Sequence, residues 1–273
     1  MNQRRGDRGR VGAGLVAALA LGGCELNMRP GAETLTEALV PVGSTPIEQA
    51  VMATNKYDAN DRYLGTIGLA NQNFAGAPVY VQLFETNAAD KDPMVRGAAI
   101  RGLANHGEPR HVTMIAAGLK DSNILVRVEA ARGLQRMHDT SAIGPLIDAL
   151  REPDLRTPDI RSEAEPEVRT EAACALGQYP ENRVLRALIE ALDDSDLAVN
   201  RAAQRSLRTL TGQDLGLDRV SWQQWEDGAK DPFAGQSLYM YPAYSRKQRL
   251  YEYIPLVPRP PNEKAAPPTG MPR

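Results

Sequence analysis

Asp92-Pro-Met-Val-Arg96-Gly-Ala-Ala-Ile-Arg-Gly-Leu103 is the stretch on which the fold turns, because it returns three times. The later copies are Asn123-Ile-Leu-Val-Arg127-Val-Glu-Ala-Ala-Arg-Gly-Leu134, Glu165-Pro-Glu-Val-Arg169-Thr-Glu-Ala-Ala-Cys-Ala-Leu176 and Asp196-Leu-Ala-Val-Asn200-Arg-Ala-Ala-Gln-Arg-Ser-Leu207. Their closing leucines are spaced by 31, 42 and 31 residues. A weaker copy, Asp61-Arg-Tyr-Leu-Gly-Thr-Ile-Gly-Leu69, ends 34 residues before Leu103. Within a copy the apolar positions fall at i, i+3, i+4 and i+8 (Val95, Ala98, Ala99, Leu103), the stripe of an amphipathic helix. The paired alanines, Ala98-Ala99, Ala130-Ala131, Ala172-Ala173 and Ala202-Ala203, predict close approach of neighbouring helices.

Between the copies lie shorter apolar stretches at 112–119, 143–150 and 184–192, with earlier candidates at 78–84 and 47–52. They predict a partner helix for each copy. A single helical hairpin cannot bury its own apolar face, so hairpins of this kind stack. An acidic residue precedes the arginine position by six in every copy (Asp90, Asp121, Glu163, Asp194). It is placed to cap the helix that follows.

The Asp-x-x-Val-Arg-x-x-Ala-Ala-x-x-Leu pattern resembles the HEAT repeat family, including its HEAT-like or PBS-lyase-type relatives. The resemblance covers roughly residues 44–211. It implies an all-α, right-handed α-solenoid of about five hairpins. It also implies a ladder along the stack in which Arg96, Arg127 and Arg169 pair with Asp90, Asp121, Glu163 and Asp194 or with neighbours; the alternative is an arginine row open to an anionic ligand. Asn200 departs from the arginine position, and the copy ending at Leu69 lacks the valine. Both are terminal copies, where atypical capping repeats are expected.

Two departures from the period stand out. The 42-residue spacing carries a Pro-rich, acidic insertion at 151–165, whose Asp154 and Asp159 are candidates for partner recognition. After Gly212, a helix stop, Trp222 and Trp225 share one face of a short helix. They either plug the open end of the solenoid, which would run over 44–229, or bind a partner. Residues 230–273 form a Tyr- and Pro-rich tail. Five tyrosines fall between Tyr239 and Tyr253, and the tail is expected to lie along the solenoid or bind a partner, with disorder from about residue 257.

The N-terminal residues read as an address. Arg4, Arg5, Arg8 and Arg10 precede an apolar run from Val11 to Leu21, shorter than the ~20 residues of a spanning helix. Leu21-Gly22-Gly23-Cys24 resembles the lipobox of bacterial lipoproteins. That resemblance implies a signal peptide over 1–23, cleavage between Gly23 and Cys24, and lipidation of Cys24. Residues 24–43 then tether the body to the cell membrane or outer membrane. Glu25 in place of Asp carries no inner-membrane retention signal.

Composition limits the chemistry. Thirty-two basic against 34 acidic side chains give a formal charge of −2, with no footprint for nucleic acid. The sequence lacks a Gly-rich phosphate loop, Gly-x-Ser-x-Gly, Cys-x-x-Cys and His-Glu-x-x-His. Some HEAT-like proteins are iron hydroxylases that use His-Glu pairs, but His106, His111 and His138 are followed by Gly107, Val112 and Asp139. No metal or cofactor is therefore expected. Cys174, between two alanines, reads as a buried thiol. The sequence points first to a membrane-anchored, non-catalytic scaffold that binds a protein partner on the concave face. A lyase-like enzyme or cofactor chaperone of the HEAT-like class is the alternative.

Overall fold

A computed structural model of the protein describes residues 44–72, 74–153, 163–243 and 264–272. The signal segment and tether, with Gly23 and Cys24, lie outside the described residues, as do Asp154, Asp159, and Tyr251 and Tyr253 of the tail.

The repeated sequence folds as repeated hairpins. The first pairs α1 (Pro46–Ala53) with α2 (Ala59–Ala70), and the second α3 (Pro78–Asn87) with α4 (Pro93–His106). The third pairs α5 (Val112–Ala117) with α6 (Ile124–Leu134), and the fourth α7 (Ile143–Leu150) with α8 (Pro166–Leu176). The fifth pairs α9 (Asn182–Glu190) with α10 (Leu197–Thr211), and α11 (Arg219–Gly228) follows it. Each first helix packs on its own second helix, and the second helices pack on one another in the order α2, α4, α6, α8, α10. This is an all-helical stack of HEAT type. Among the described residues no helix is long and apolar enough to cross a membrane.

The alanine pairs sit where the second helices meet. Ala99, Ala130, Ala131, Ala172, Ala173, Ala202 and Ala203 are fully buried, as are the closing leucines Leu103, Leu134, Leu176 and Leu207. Small residues let the backbones close up, while leucine fills the space beneath each turn. One continuous core results, running from Ala53 to Trp222.

The helix caps differ from the sequence expectation. In three of the four copies the capping side chain stands four residues before the arginine position, not six, and Glu165 in the remaining copy makes no side-chain cap. Asp92 accepts from the Met94 N–H at 2.8 Å, Asn123 from Leu125 at 2.9 Å and Asp196 from Ala198 at 2.7 Å. The acids at six residues before serve the turn instead. Each accepts the backbone N–H of the capping position: Asp92 to Asp90 at 2.8 Å, Asn123 to Asp121 at 2.9 Å, Glu165 to Glu163 at 2.9 Å and Asp196 to Asp194 at 2.8 Å. One carboxylate oxygen is thereby fixed and the group is aimed at the preceding repeat.

The two tryptophans pack together beyond α10. Trp222 is fully buried, and its indole N–H donates to the Gly216 carbonyl at 2.9 Å. Trp225 meets it edge-on, with ring centroids 5.8 Å apart, and packs partly buried on the core. An indole with no exposed surface and a satisfied N–H offers a partner nothing. It closes the α10 end of the core.

A further correction concerns the tail. Tyr241–Ala243 (β1) pairs antiparallel with Lys264–Ala266 (β2), with Tyr241 opposite Ala266. The fold therefore adds a small ribbon to its helices, and residues 264–272 have a defined place where disorder was expected. Thr269 docks on the solenoid: its N–H donates to the Arg136 carbonyl and its carbonyl accepts from the His138 N–H, both at 2.8 Å.

Trp222→Ala is expected to lower unfolding stability by about 3–5 kcal/mol, the usual cost of an aromatic cavity. Urea denaturation followed by helical circular dichroism measures this. Val220→Ala, at an exposed site on the same helix, should change the midpoint little.

Candidate functional site

Two polar systems run across the repeats. The first joins successive hairpins at the start of each second helix. Arg62 takes Asp90 with Nε at 2.7 Å and Nη2 at 2.9 Å. Arg96 takes Asp121 with both contacts at 2.7 Å, Arg127 takes Glu163 at 2.7 and 3.1 Å, and Arg169 takes Asp194 at 2.7 and 2.8 Å. The remaining Nη1 reaches back to carbonyls of its own repeat, such as Asp90 and Lys91 for Arg96. Every rung is a forked, charge-assisted contact from one repeat to the next.

The direction of pairing is thus fixed: each arginine takes the carboxylate of the following repeat. Arg62 belongs to the ladder although its copy lacks the valine. Asn200 ends it. With no carboxylate ahead, its amide donates to the carbonyls of Ala191, Leu192 and Asp194. The guanidinium of Arg62 holds the Asp90 carboxyl below the usual carboxylate range, and Arg96 does the same for Asp121. These arginines are fully engaged, so the ladder is no open anion site.

The second system lies along the second helices, one to three turns further on. Arg101 on α4 forms a forked ion pair with Glu129 on α6. Arg132 on α6 reaches Glu171 on α8 at 2.8 Å, and Gln135 donates to the same carboxylate at 2.6 Å. Next comes Cys174, with the Arg205 guanidinium 3.7 Å from its sulfur. Burial pushes this thiol's pKa up, and Arg205 pulls partly against it.

Arg136 differs from its neighbours. Its Nη1 bonds the Asn105 amide oxygen, and its guanidinium lies 5.9 Å from the Tyr241 ring centre. No carboxylate lies within ion-pair distance of it among the described residues. Burial, and the like charges of Arg101 and Arg132, make its cation costlier, so its pKa is pulled down. It is a half-buried positive charge with no carboxylate bonded to it, the kind of group that takes an anionic substituent. Nothing in the repeat pattern marks it, because it lies beyond the closing leucine.

The histidines are committed elsewhere. His106 Nε2 is 2.9 Å from the Ala70 carbonyl. His111 Nε2 is 2.8 Å from a Glu85 carboxylate oxygen. His138 Nδ1 is 3.2 Å from the Gln178 amide oxygen, and its ring stacks on Tyr179 at 4.8 Å. Among the described residues, no three of His, Cys, Asp and Glu are grouped to hold a metal ion.

The comparisons with known proteins bear on what such a surface does. The family model for HEAT repeats matches residues 81–165, and that for the PBS lyase HEAT-like repeat matches 168–194. The chain contains both kinds of repeat. It is similar to the deoxyhypusine hydroxylase of Homo sapiens, at 29% identity over 166 residues, covering 60% of this chain and 48% of that one. It is also similar to the deoxyhypusine hydroxylase of Gallus gallus, at 33% identity over 115 residues, covering 42% and 36%. The chain thus spans about half, or less, of the curated relatives it matches. Among solved structures it resembles the complex of CpcE and CpcF of phycocyanin lyase from Nostoc sp. PCC7120, at 21% identity and a TM-score of 0.44, covering 59% of this chain and 96% of that one.

These findings overturn the expectation of a non-catalytic scaffold. The curated relatives carry the name of an enzyme, which speaks against both the scaffold role and the absence of catalysis. Local motifs are a poor guide here, because a solenoid brings together groups from successive repeats.

Removing one end of a buried rung should be costly. Arg169 and Asp194 are 3% and 2% exposed, and Arg169→Ala is expected to cost about 3–5 kcal/mol in urea denaturation, because Asp194 keeps an unpaired buried charge. The acid response follows from Asp90 and Asp121, whose folded pKa values are depressed. Their contribution is complete above the unfolded value of about 4 and is lost as pH falls through the folded one. Urea midpoints should therefore drop below about pH 4, and less steeply in Asp121→Asn.

Proposed function

We propose that this chain is a lyase-like enzyme or cofactor chaperone of the HEAT-like class, acting on a protein substrate along the second-helix face. The observation that carries the reading is the PBS lyase HEAT-like repeat at 168–194, which holds Glu171 and Cys174 of the charged row. Support comes from the similarity to enzymes over 60% of the chain and from the arrangement of the row itself. Its groups are held by partners on adjacent helices before any ligand arrives, as electrostatic preorganisation requires. Arg136 is a cation available to an anionic substituent of a cofactor, with Asn105 accepting from its Nη1. The HEAT architecture favours a protein as the second participant, since stacked repeats present an extended surface.

Titrating the purified full chain with biliverdin, an anionic linear tetrapyrrole, tests this directly. A saturable shift of the visible absorption is expected, weakened by about tenfold in Arg136→Ala, the loss of one charge-assisted contact. A spectrum unchanged throughout the titration overturns the reading.

We also propose that the protein is anchored in the cell membrane or outer membrane through lipid on Cys24. The support is the Leu21-Gly22-Gly23-Cys24 stretch behind a basic and then apolar segment. Labelled palmitate should enter the wild-type chain and not Cys24→Ala; label retained by the variant contradicts the anchor.

A further inference from the structure

The surface proposed to meet the substrate already carries a length of this chain. Past α11, Phe233 packs on the core and the backbone then crosses the end of α10. Gly212 ends that helix with φ of +71°. A Cβ on Gly235 would stand 2.4 Å from the Thr211 carbonyl oxygen, and a Cβ on Gly212 would stand 2.5 Å from that of Gly235. Only glycine at both places lets the two backbones pass so closely. Ser237 then donates its N–H to the Thr209 carbonyl at 2.8 Å.

From here the segment runs extended, and its side chains alternate. Leu238 and Met240 are 65% and 41% exposed, whereas Tyr239 is 7% exposed. Tyr239 lies within electrostatic reach of Cys174, Tyr179 and Glu171, and burial pushes its pKa well up. Tyr241 follows two residues on and covers Arg136. The returning strand 264–266 pairs with 241–243, and Thr269 is stitched between Arg136 and His138. The tail thus lies against Arg136 of the second-helix row, with Tyr239 in electrostatic reach of Cys174.

The attachment is light. Among the described residues the segment from 234 to 243 makes no ion pair with the solenoid. Between 234 and 241 Tyr239 alone is deeply buried, and a ribbon of two three-residue strands does not hold by itself. Such elements open at the low end of a protein's local stabilities. We propose that this C-terminal segment is a displaceable strap occupying the substrate surface in cis. The partner that displaces it is then an extended stretch of the protein substrate, with aromatic side chains two residues apart that enter the seats of Tyr239 and Tyr241. The inference rests on the reading of the second-helix face as the substrate surface.

The strap can be dislodged without touching the surface beneath. Gly235→Ala puts a methyl group against the Thr211 carbonyl, and Ser237→Pro removes the N–H bonded to Thr209. The probe is a fluorescent synthetic peptide of residues 235–243, added to the full chain and read by anisotropy. Gly235→Ala is expected to bind it about tenfold or more tightly than wild type, whose seat is filled. A peptide with both tyrosines replaced by alanine should not bind. Alkylation of Cys174, followed by peptide mass mapping, should quicken in the variant and slow again when the unaltered peptide is added. If Gly235→Ala does not fold, as judged by circular dichroism, Ser237→Pro takes its place in the same experiment. Equal binding by variant and wild type, or no binding by either, overturns the strap. A silent biliverdin titration beside tight peptide binding by the variant would sink the cofactor reading and leave the strap standing.

Discussion

The forked contact between an arginine of one repeat and the carboxylate of the next is the constraint on which the structure depends. Hydrophobic burial would stack these hairpins in many registers, because alanine and leucine faces are alike from repeat to repeat. A guanidinium that must meet both oxygens of one carboxylate, while its third nitrogen holds carbonyls of its own turn, admits one. The same carboxylate also accepts a backbone N–H at the helix entrance. Stack register and helix start are therefore set by a single group, and Asn200 shows what replaces it when no further repeat follows.

Once register is fixed, the second helices form a continuous layer, and residues far apart in sequence come into line. Arg101, Glu129, Arg132, Glu171, Cys174 and Arg205 lie on four different helices. No local motif announces them. The carboxylate pairs of Arg101 and Arg132 leave Arg136 with an amide oxygen and the Tyr241 ring for company. Polar preorganisation at this surface is thus a consequence of the ladder, since a slip of one turn would separate every pair.

What the sequence made legible follows from this. The helices and their pairing could be read from period alone, because the apolar stripe and the alanine pairs recur with little change. Arg96, Arg127 and Arg169 stood out by their period, but Arg62 did not, and which carboxylate each takes was not readable, since the period is the same whether the pair forms within a repeat or across two. The caps are hard to assign from sequence because two polar positions, six and four residues ahead of the arginine position, precede each second helix, and the acid at six also accepts a backbone N–H. Trp222 was left between plug and binding site, and only its burial decides. The tail was hardest: its tyrosines and prolines carry no helical or strand period, and the partner for 264–266 lies some twenty residues away, so composition pointed to disorder. The charged row was not legible for a related reason, as its members are spread over four repeats and form no compact motif.

Hydrogen–deuterium exchange of the full chain with and without biliverdin tests the central claim most directly, that the second-helix face is the working surface and the tail covers it. The account predicts slower exchange in peptides spanning 132–138 and 171–178 when the ligand is bound, with faster exchange at 235–243 as the strap is displaced. Protection confined to the ladder turns around 90–96 and 121–127, or no change anywhere, would contradict it.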